Sequence, residues 1–150
     1  MQNFPFIETM PENVEDVLAE NRTFEPAALA AVREFRATKA WRGTVEERRE
    51  KFRAFHAAMK GVYNLPVELE FPSLNLDSEA SDASCYDARQ EKIRMVGRLS
   101  VITYLHLLAA ARGFNCRGRF GWSLNLFKRM FPLSWSRLRF EGCIARRSGN

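Results

Sequence analysis

A chain of 150 residues that is 46% hydrophobic and 27% charged has the composition of a soluble globular protein, long enough for one domain with a real core and too short for two. Its net charge of +5 is lopsided: residues 112–150 hold nine Lys/Arg against Glu141 alone, while residues 1–111 carry −3. A basic quarter of this kind predicts an anionic partner, nucleic acid among them, or a merely solvated surface beside an acidic half. Three cysteines without CxxC spacing argue against a disulfide framework, and the opening MQNFPFIETMPENVED lacks the basic and apolar regions of a secretory signal. Both point to a cytoplasmic protein, and no stretch is a convincing membrane span.

In chain order, TMPE at Thr9–Glu12 has capping-box spacing and predicts a short helix to about Glu20. A second helix begins near Thr23 or Glu25 and runs to about Thr38, with Phe24, Ala28, Ala31, Val32 and Phe35 on its apolar side; Trp41 and Gly43 interrupt it. TVEE at Thr44–Glu47 is a second capping box. It opens the longest helix, to about Tyr63, with a core stripe of Phe52, Phe55, Met59, Val62 and Tyr63 and with His56 at the edge of that stripe. VELEF at 67–71 then alternates apolar and acidic residues between two prolines, as a half-buried strand does.

Residues 73–84 are polar and read as a loop, in which Asp77, Glu79 and Asp82 lack the spacing of an EF-hand. Short strands follow at 84–86 and 92–96, joined by the turn-forming DARQE. The second runs into RLSVITYLHLLAAARG, residues 98–113, apolar on every face and therefore a central helix wrapped by others, with Gly113 as its left-handed cap. NCRGRFG, 115–121, reads as a glycine- and arginine-rich turn. Residues 122–131 form an amphipathic helix stopped at Pro132, and 134–138 one more helical turn. The fold class is α+β: a mostly helical single domain with a small antiparallel sheet packed on a buried central helix. Its parts are a helical stretch (1–64), the sheet and central helix (65–131) and a basic C-terminal segment (132–150).

A hairpin, an edge strand and then a buried helix with a central histidine resemble the zincin-like metallopeptidases, the small SprT-like, minigluzincin-type members nearest of all. In that family the helix carries His-Glu-x-x-His: two histidines one turn apart bind zinc, and the glutamate activates the metal-bound water. The preceding edge strand receives the substrate backbone. Here the pentapeptide is His106, Leu107, Leu108, Ala109, Ala110. The first ligand is kept, the base is replaced by Leu107 and the second ligand by Ala110. Over residues 84–131 the resemblance therefore implies a zincin-like protein without peptidase activity, retained for binding. His106 would be a vestigial ligand, and no cofactor would be bound. It also implies that positions 106 and 110 face a cleft beside the 92–96 strand. A rebuilt zinc site is the alternative: Cys116, Cys143 and His56 would join His106, at spacings that match no zinc pattern, and Glu141 or Cys143 is a tentative downstream ligand from position alone.

The basic end interleaves cations with aromatics. Arg117, Arg119, Trp122, Lys128, Arg129, Arg137 and Arg139 form a candidate binding set, able to hold phosphates while bases stack. The competing reading makes Trp122, Phe127, Phe131 and Trp135 core residues covered by arginine stems. No phosphate-cradling glycine loop and no nucleophile elbow is present, since GRFGWS lacks both the lysine and the strand-to-helix context.

Overall fold

The computed structural model describes residues 3–5, 14–19, 21–72, 84–97 and 99–135. Helix α1 (Val14–Leu18) is followed by α2 (Pro26–Ala37), which begins with Pro26 in its first turn, where a missing N–H costs no hydrogen bond. The expected capping box at Thr44 opens α3 (Val45–Tyr63). Thr44 Oγ1 accepts from the Glu47 amide at 3.1 Å, and the Glu47 carboxylate accepts from the Thr44 amide at 2.7 Å. Asn64, left-handed at φ 53°, ends the helix.

Both long helices bury a stripe at i, i+3, i+4, i+7: Ala28, Ala31, Val32 and Phe35 on α2, Phe52, Phe55, His56 and Met59 on α3. The stripes meet through aromatic rings. Phe35 stacks on Phe55 with centroids 4.3 Å apart and meets Phe52 edge-on at 5.2 Å. Each such pair contributes about 0.5–1.5 kcal/mol beyond the area it buries. The capping box at Thr9–Glu12 lies outside the described residues.

The sheet has four strands in the order β1-β3-β4-β2, formed by β1 (Asn3–Pro5), β2 (Glu68–Glu70), β3 (Cys85–Asp87) and β4 (Lys92–Arg94). β3 and β4 form the expected hairpin, whose turn is closed by Asp87 Oδ1 accepting from the Arg89 and Gln90 amides. Two expectations are corrected here. The sheet is mixed rather than antiparallel, because β2 runs parallel to β4, with Leu69 opposite Ile93. β4 is also not an edge strand: β3 and β2 occupy its two sides, so its backbone donors and acceptors are already paired. The physical reason is backbone pairing: the Glu68 amide donates to the Glu91 carbonyl at 3.0 Å and the Met95 amide to the Glu70 carbonyl at 2.9 Å, so β2 fills the second flank of β4.

Helix α4 (Val101–Ala111) is the central helix. Ser100 caps its start by accepting from the Thr103 amide at 3.3 Å. At its end the Phe114 amide bonds the Ala109 carbonyl and the Gly113 amide the Ala110 carbonyl, a Schellman pair around Gly113 at φ 94°. Every residue from Tyr104 to Ala110 is buried.

Helix α5 (Cys116–Met130) starts six residues earlier than expected, and this corrects the reading of 115–121 as a turn. Asn115 is its N-cap, with Oδ1 accepting from the Gly118 amide at 2.7 Å. Gly118 and Gly121 are buried in the helix, and at Gly118 the missing side chain lets neighbours close in. A Cβ on Gly118 would stand 3.1 Å from Asn115 Oδ1 and 3.3 Å from Phe114 Cβ. Asn125 Nδ2 donates to the Leu18 carbonyl at 3.1 Å and ties α5 to the end of α1. Pro132 follows α5, and residues 132–135 add one helical turn. Among the described residues, no helix is long and apolar enough to cross a membrane.

Candidate functional site

His106 lies at the middle of α4 and is 1% exposed. Its ring packs on Phe120 of α5, with centroids 4.6 Å apart. Ala110, one turn on, is 6% exposed, and Leu107, Leu108 and Ala109 are buried with it. The pentapeptide is thus buried, with His106 against α5, and neither position 106 nor position 110 opens to solvent as a cleft face would. The residues present do not fit zinc: one buried imidazole meets a methyl group where the second ligand would stand and an isobutyl group where the base would stand. Among the described residues no three His, Cys, Asp or Glu side chains come together as a metal-binding group. Cys143, the tentative ligand, and Glu141 lie outside the described residues. Cys116 opens α5 as a half-buried thiol.

His56 is committed elsewhere. Its Nδ1 is 2.7 Å from Tyr104 Oη and its Nε2 is 2.8 Å from the Val67 carbonyl oxygen, all three groups buried. Burial pushes its pKa down, outweighing the raising influence of the Val67 carbonyl, so the ring is neutral in the fold. A carbonyl can only accept, so Nε2 carries the proton and donates to Val67. Nδ1 then accepts from the Tyr104 hydroxyl. This relay joins α3, α4 and the approach to β2, and it leaves neither ring nitrogen for a metal.

The basic end divides. Arg119 and Trp122 are not surface residues, which corrects their place in the binding set. Arg119 is buried and donates to the Phe114 carbonyl at 2.7 Å, while Trp122 is 2% exposed and touches Phe24, Tyr63 and Phe114. Arg117 is exposed near the start of α5, about 16 Å along the helix axis from Lys128 at ~1.5 Å per residue. Arg137 and Arg139 lie outside the described residues. Lys128 and Arg129 share a groove with a third cation, Arg22, that stands over a hundred residues away in sequence. With Arg22, Phe24, Asn125, Pro132 and Trp135 they line a groove of about 420 Å³. No acidic side chain among the described residues pairs with Arg22, Lys128 or Arg129. Phe24 and Trp135 are buried, so the groove offers charge but no exposed ring for stacking.

Arg112, at the C-terminal cap of α4, is held by aromatic faces. Its guanidinium carbon is 3.7 Å from the Tyr63 ring centroid, 4.8 Å from Phe114 and 5.4 Å from Trp122. The Tyr63 hydroxyl donates to Glu25 at 2.7 Å. Burial, and then that carboxylate, push its pKa well up.

A second recess, of about 380 Å³, was not foreseen. It is lined by Trp41, Val101, Phe127, Phe131 and Ser134. Trp41 is 54% exposed and meets Phe131 edge to face at 5.8 Å, while the Arg36 guanidinium lies 5.9 Å from the Phe131 ring centroid. The recess joins residues ninety positions apart, and the only local signal was a tryptophan set among cations in a turn. Comparison of the chain with protein-family models, curated proteins and solved structures finds no match.

Proposed function

We propose that this chain is a zincin-like protein without peptidase activity that serves as a binding module for an anionic partner. The observation that carries the reading is the sealed pentapeptide on α4: His106 is buried against Phe120, with Leu107 and Ala110 where a base and a second ligand would be required. The hairpin leading into a buried helix with a central histidine supports the zincin-like scaffold. Placing β4 between β3 and β2 removes the free strand that peptidases of this type offer to a substrate backbone. The test is a zinc titration of the purified chain after treatment with a chelator, alongside the His106→Ala variant. We expect neither to hold stoichiometric zinc. One zinc per chain, lost in His106→Ala, would overturn the reading.

A second reading, nucleic-acid binding, is favoured by the groove in which Arg22, Lys128 and Arg129 stand without acidic partners. It predicts affinity for an oligonucleotide that falls steeply with salt, and a weakening shared by all base sequences on charge reversal at Lys128 and Arg129. Salt-insensitive binding, or none at low salt, would remove it.

A further inference from the structure

One of the large apolar side chains that this protein leaves in water walls a recess. Among the described residues the large exposed ones are Trp41, Val45 and Leu133, the last 84% exposed. Trp41 walls the 380 Å³ recess, Val45 stands four residues on at the start of α3, and Leu133 precedes the recess-lining Ser134. The volume is near the low end of pockets that accept organic ligands, roughly 300–1,000 Å³, and suits two or three large side chains.

The two stretches that supply most of the recess walls carry one sign of charge. Residues 35–45 contain Arg36, Lys39 and Arg42 and residues 127–135 contain Lys128 and Arg129, with no Asp or Glu in either stretch. None of these five cations pairs with an acidic side chain among the described residues. Two of the chain's own nearby groups are spent on structure: the Glu47 carboxylate accepts from the Thr44 amide, and Lys51 Nζ donates to the Lys39 and Arg42 carbonyls. An aromatic recess with Arg36 against its Phe131 wall, and with Lys39 and Arg42 flanking Trp41 in sequence, is complementary to a ligand that is apolar along one stripe and acidic beside it.

We propose that this recess is the docking site for an acidic, amphipathic peptide segment of a partner protein, which seats large apolar side chains against Trp41, Phe127 and Phe131 and sets carboxylates against Arg36, Lys39 and Arg42. The proposal rests on the binding-module reading above and names its partner. Other occupants fit less well. Trp41 and Phe131 stand at 79° to one another, so no parallel slot exists for a nucleobase. A second copy would bring two rims of the same positive charge together. The chain's own residues 136–150 hold Arg137, Arg139, Arg146 and Arg147 against Glu141, the wrong sign for this rim. A lipid surface needs apolar groups that protrude together, whereas Phe127 and Phe131 line a concavity.

The test is selection of displayed random 16-residue peptides against the full chain, followed by affinity measurements on the parent and on Trp41→Ala and Arg36→Glu/Arg42→Glu. Enriched peptides should be net acidic with apolar residues at i, i+3 or i+4. Trp41→Ala should weaken them at least tenfold, and the charge reversal should do the same while flattening the salt dependence. Because Trp122 and Trp135 are buried, acrylamide quenching of the parent reports mainly Trp41, and bound peptide should protect it even if a variant folds poorly. No enrichment, enrichment of peptides without acidic residues, or affinity indifferent to Trp41 would overturn the proposal. So would equal protection of Trp41 by phosphatidylserine vesicles, by oligothymidine, or by raising the concentration of the chain alone. The zinc titration keeps the two readings apart: stoichiometric zinc refutes the non-catalytic scaffold and leaves the recess in place, while failed peptide binding refutes only the recess.

Discussion

Tyr104→Phe isolates one hydrogen bond at the centre of the molecule. The phenyl ring keeps its packing on Phe52, Phe55 and His56, with centroids 6.0, 5.6 and 5.7 Å away, so only the hydroxyl is lost. His56 Nδ1 is then a buried acceptor without its donor. Leaving such a group unmet costs about 1–3 kcal/mol, and we expect Tyr104→Phe to lower unfolding free energy by roughly 2 kcal/mol. His56→Leu strands two groups, Tyr104 Oη and the Val67 carbonyl, and should cost about 2–4 kcal/mol. In the double variant the tyrosine hydroxyl is no longer present to be stranded, so the two losses should fall short of additivity by about 1–2 kcal/mol. The relay also sets a pH dependence. Because burial holds the folded His56 pKa below that of the unfolded chain, the unfolded state binds more protons as pH falls below ~6.5. Its stabilising contribution is thus fully present above that value and is lost progressively as pH falls toward the folded pKa. His56→Leu should flatten that acid slope. The assay is urea unfolding of the four proteins between pH 5 and pH 8. Additive losses, or an acid slope unchanged in His56→Leu, would refute the assigned tautomer and the relay.

Three further outcomes are expected in the same assay. Gly61→Ala and Gly113→Ala should have opposite signs, although a Cβ meets nothing within 4 Å at either position. The first, inside α3, should stabilise by about 0.5–1 kcal/mol, and the second, at φ 94°, should destabilise by about 1 kcal/mol or more. Thr44→Ala removes half of the capping box and should cost about 1 kcal/mol, largely restored by Ser at the same position. Arg112→Ala empties the space between Tyr63, Phe114 and Trp122. It should cost about 1–2 kcal/mol, with Lys recovering less than half because an ammonium cannot lie flat on a ring.

What the sequence made legible was local. The Thr44 capping box, the Gly113 cap, the core stripes of α2 and α3 and the burial of α4 all follow from spacing over a few residues. The stretch from Asn115 to Gly121 misled because glycine and arginine usually mark a solvated turn. Here Gly118 serves close packing, and Arg119 is drawn inward by the Phe114 carbonyl. Strands of three residues give almost no periodic signal, so β1 was missed and the parallel pairing of β2 with β4 was invisible. That Trp122 is core was one of two readings, and packing decided it. The Trp41 recess was illegible for a different reason: its walls come from the turn before α3, the first turn of α4 and the end of α5. No window along the chain contains all three.

The mixed sheet has a consequence for how the chain reaches this fold. The α2–α3 pair and the β3–β4 hairpin are made from neighbours in sequence and need only short loops to close, events of microseconds. β2 must then find β4 across 24 residues, and β1 must find β3 across 84, from Asn3 to Asp87. By loop-closure entropy the longer search costs about 1 kcal/mol more than the shorter one. The ends of the sheet are therefore the last parts to be fastened and the first to let go. Amide exchange should report a slow centre at α4 and α5, with a rim at β1 that opens on its own long before the core does.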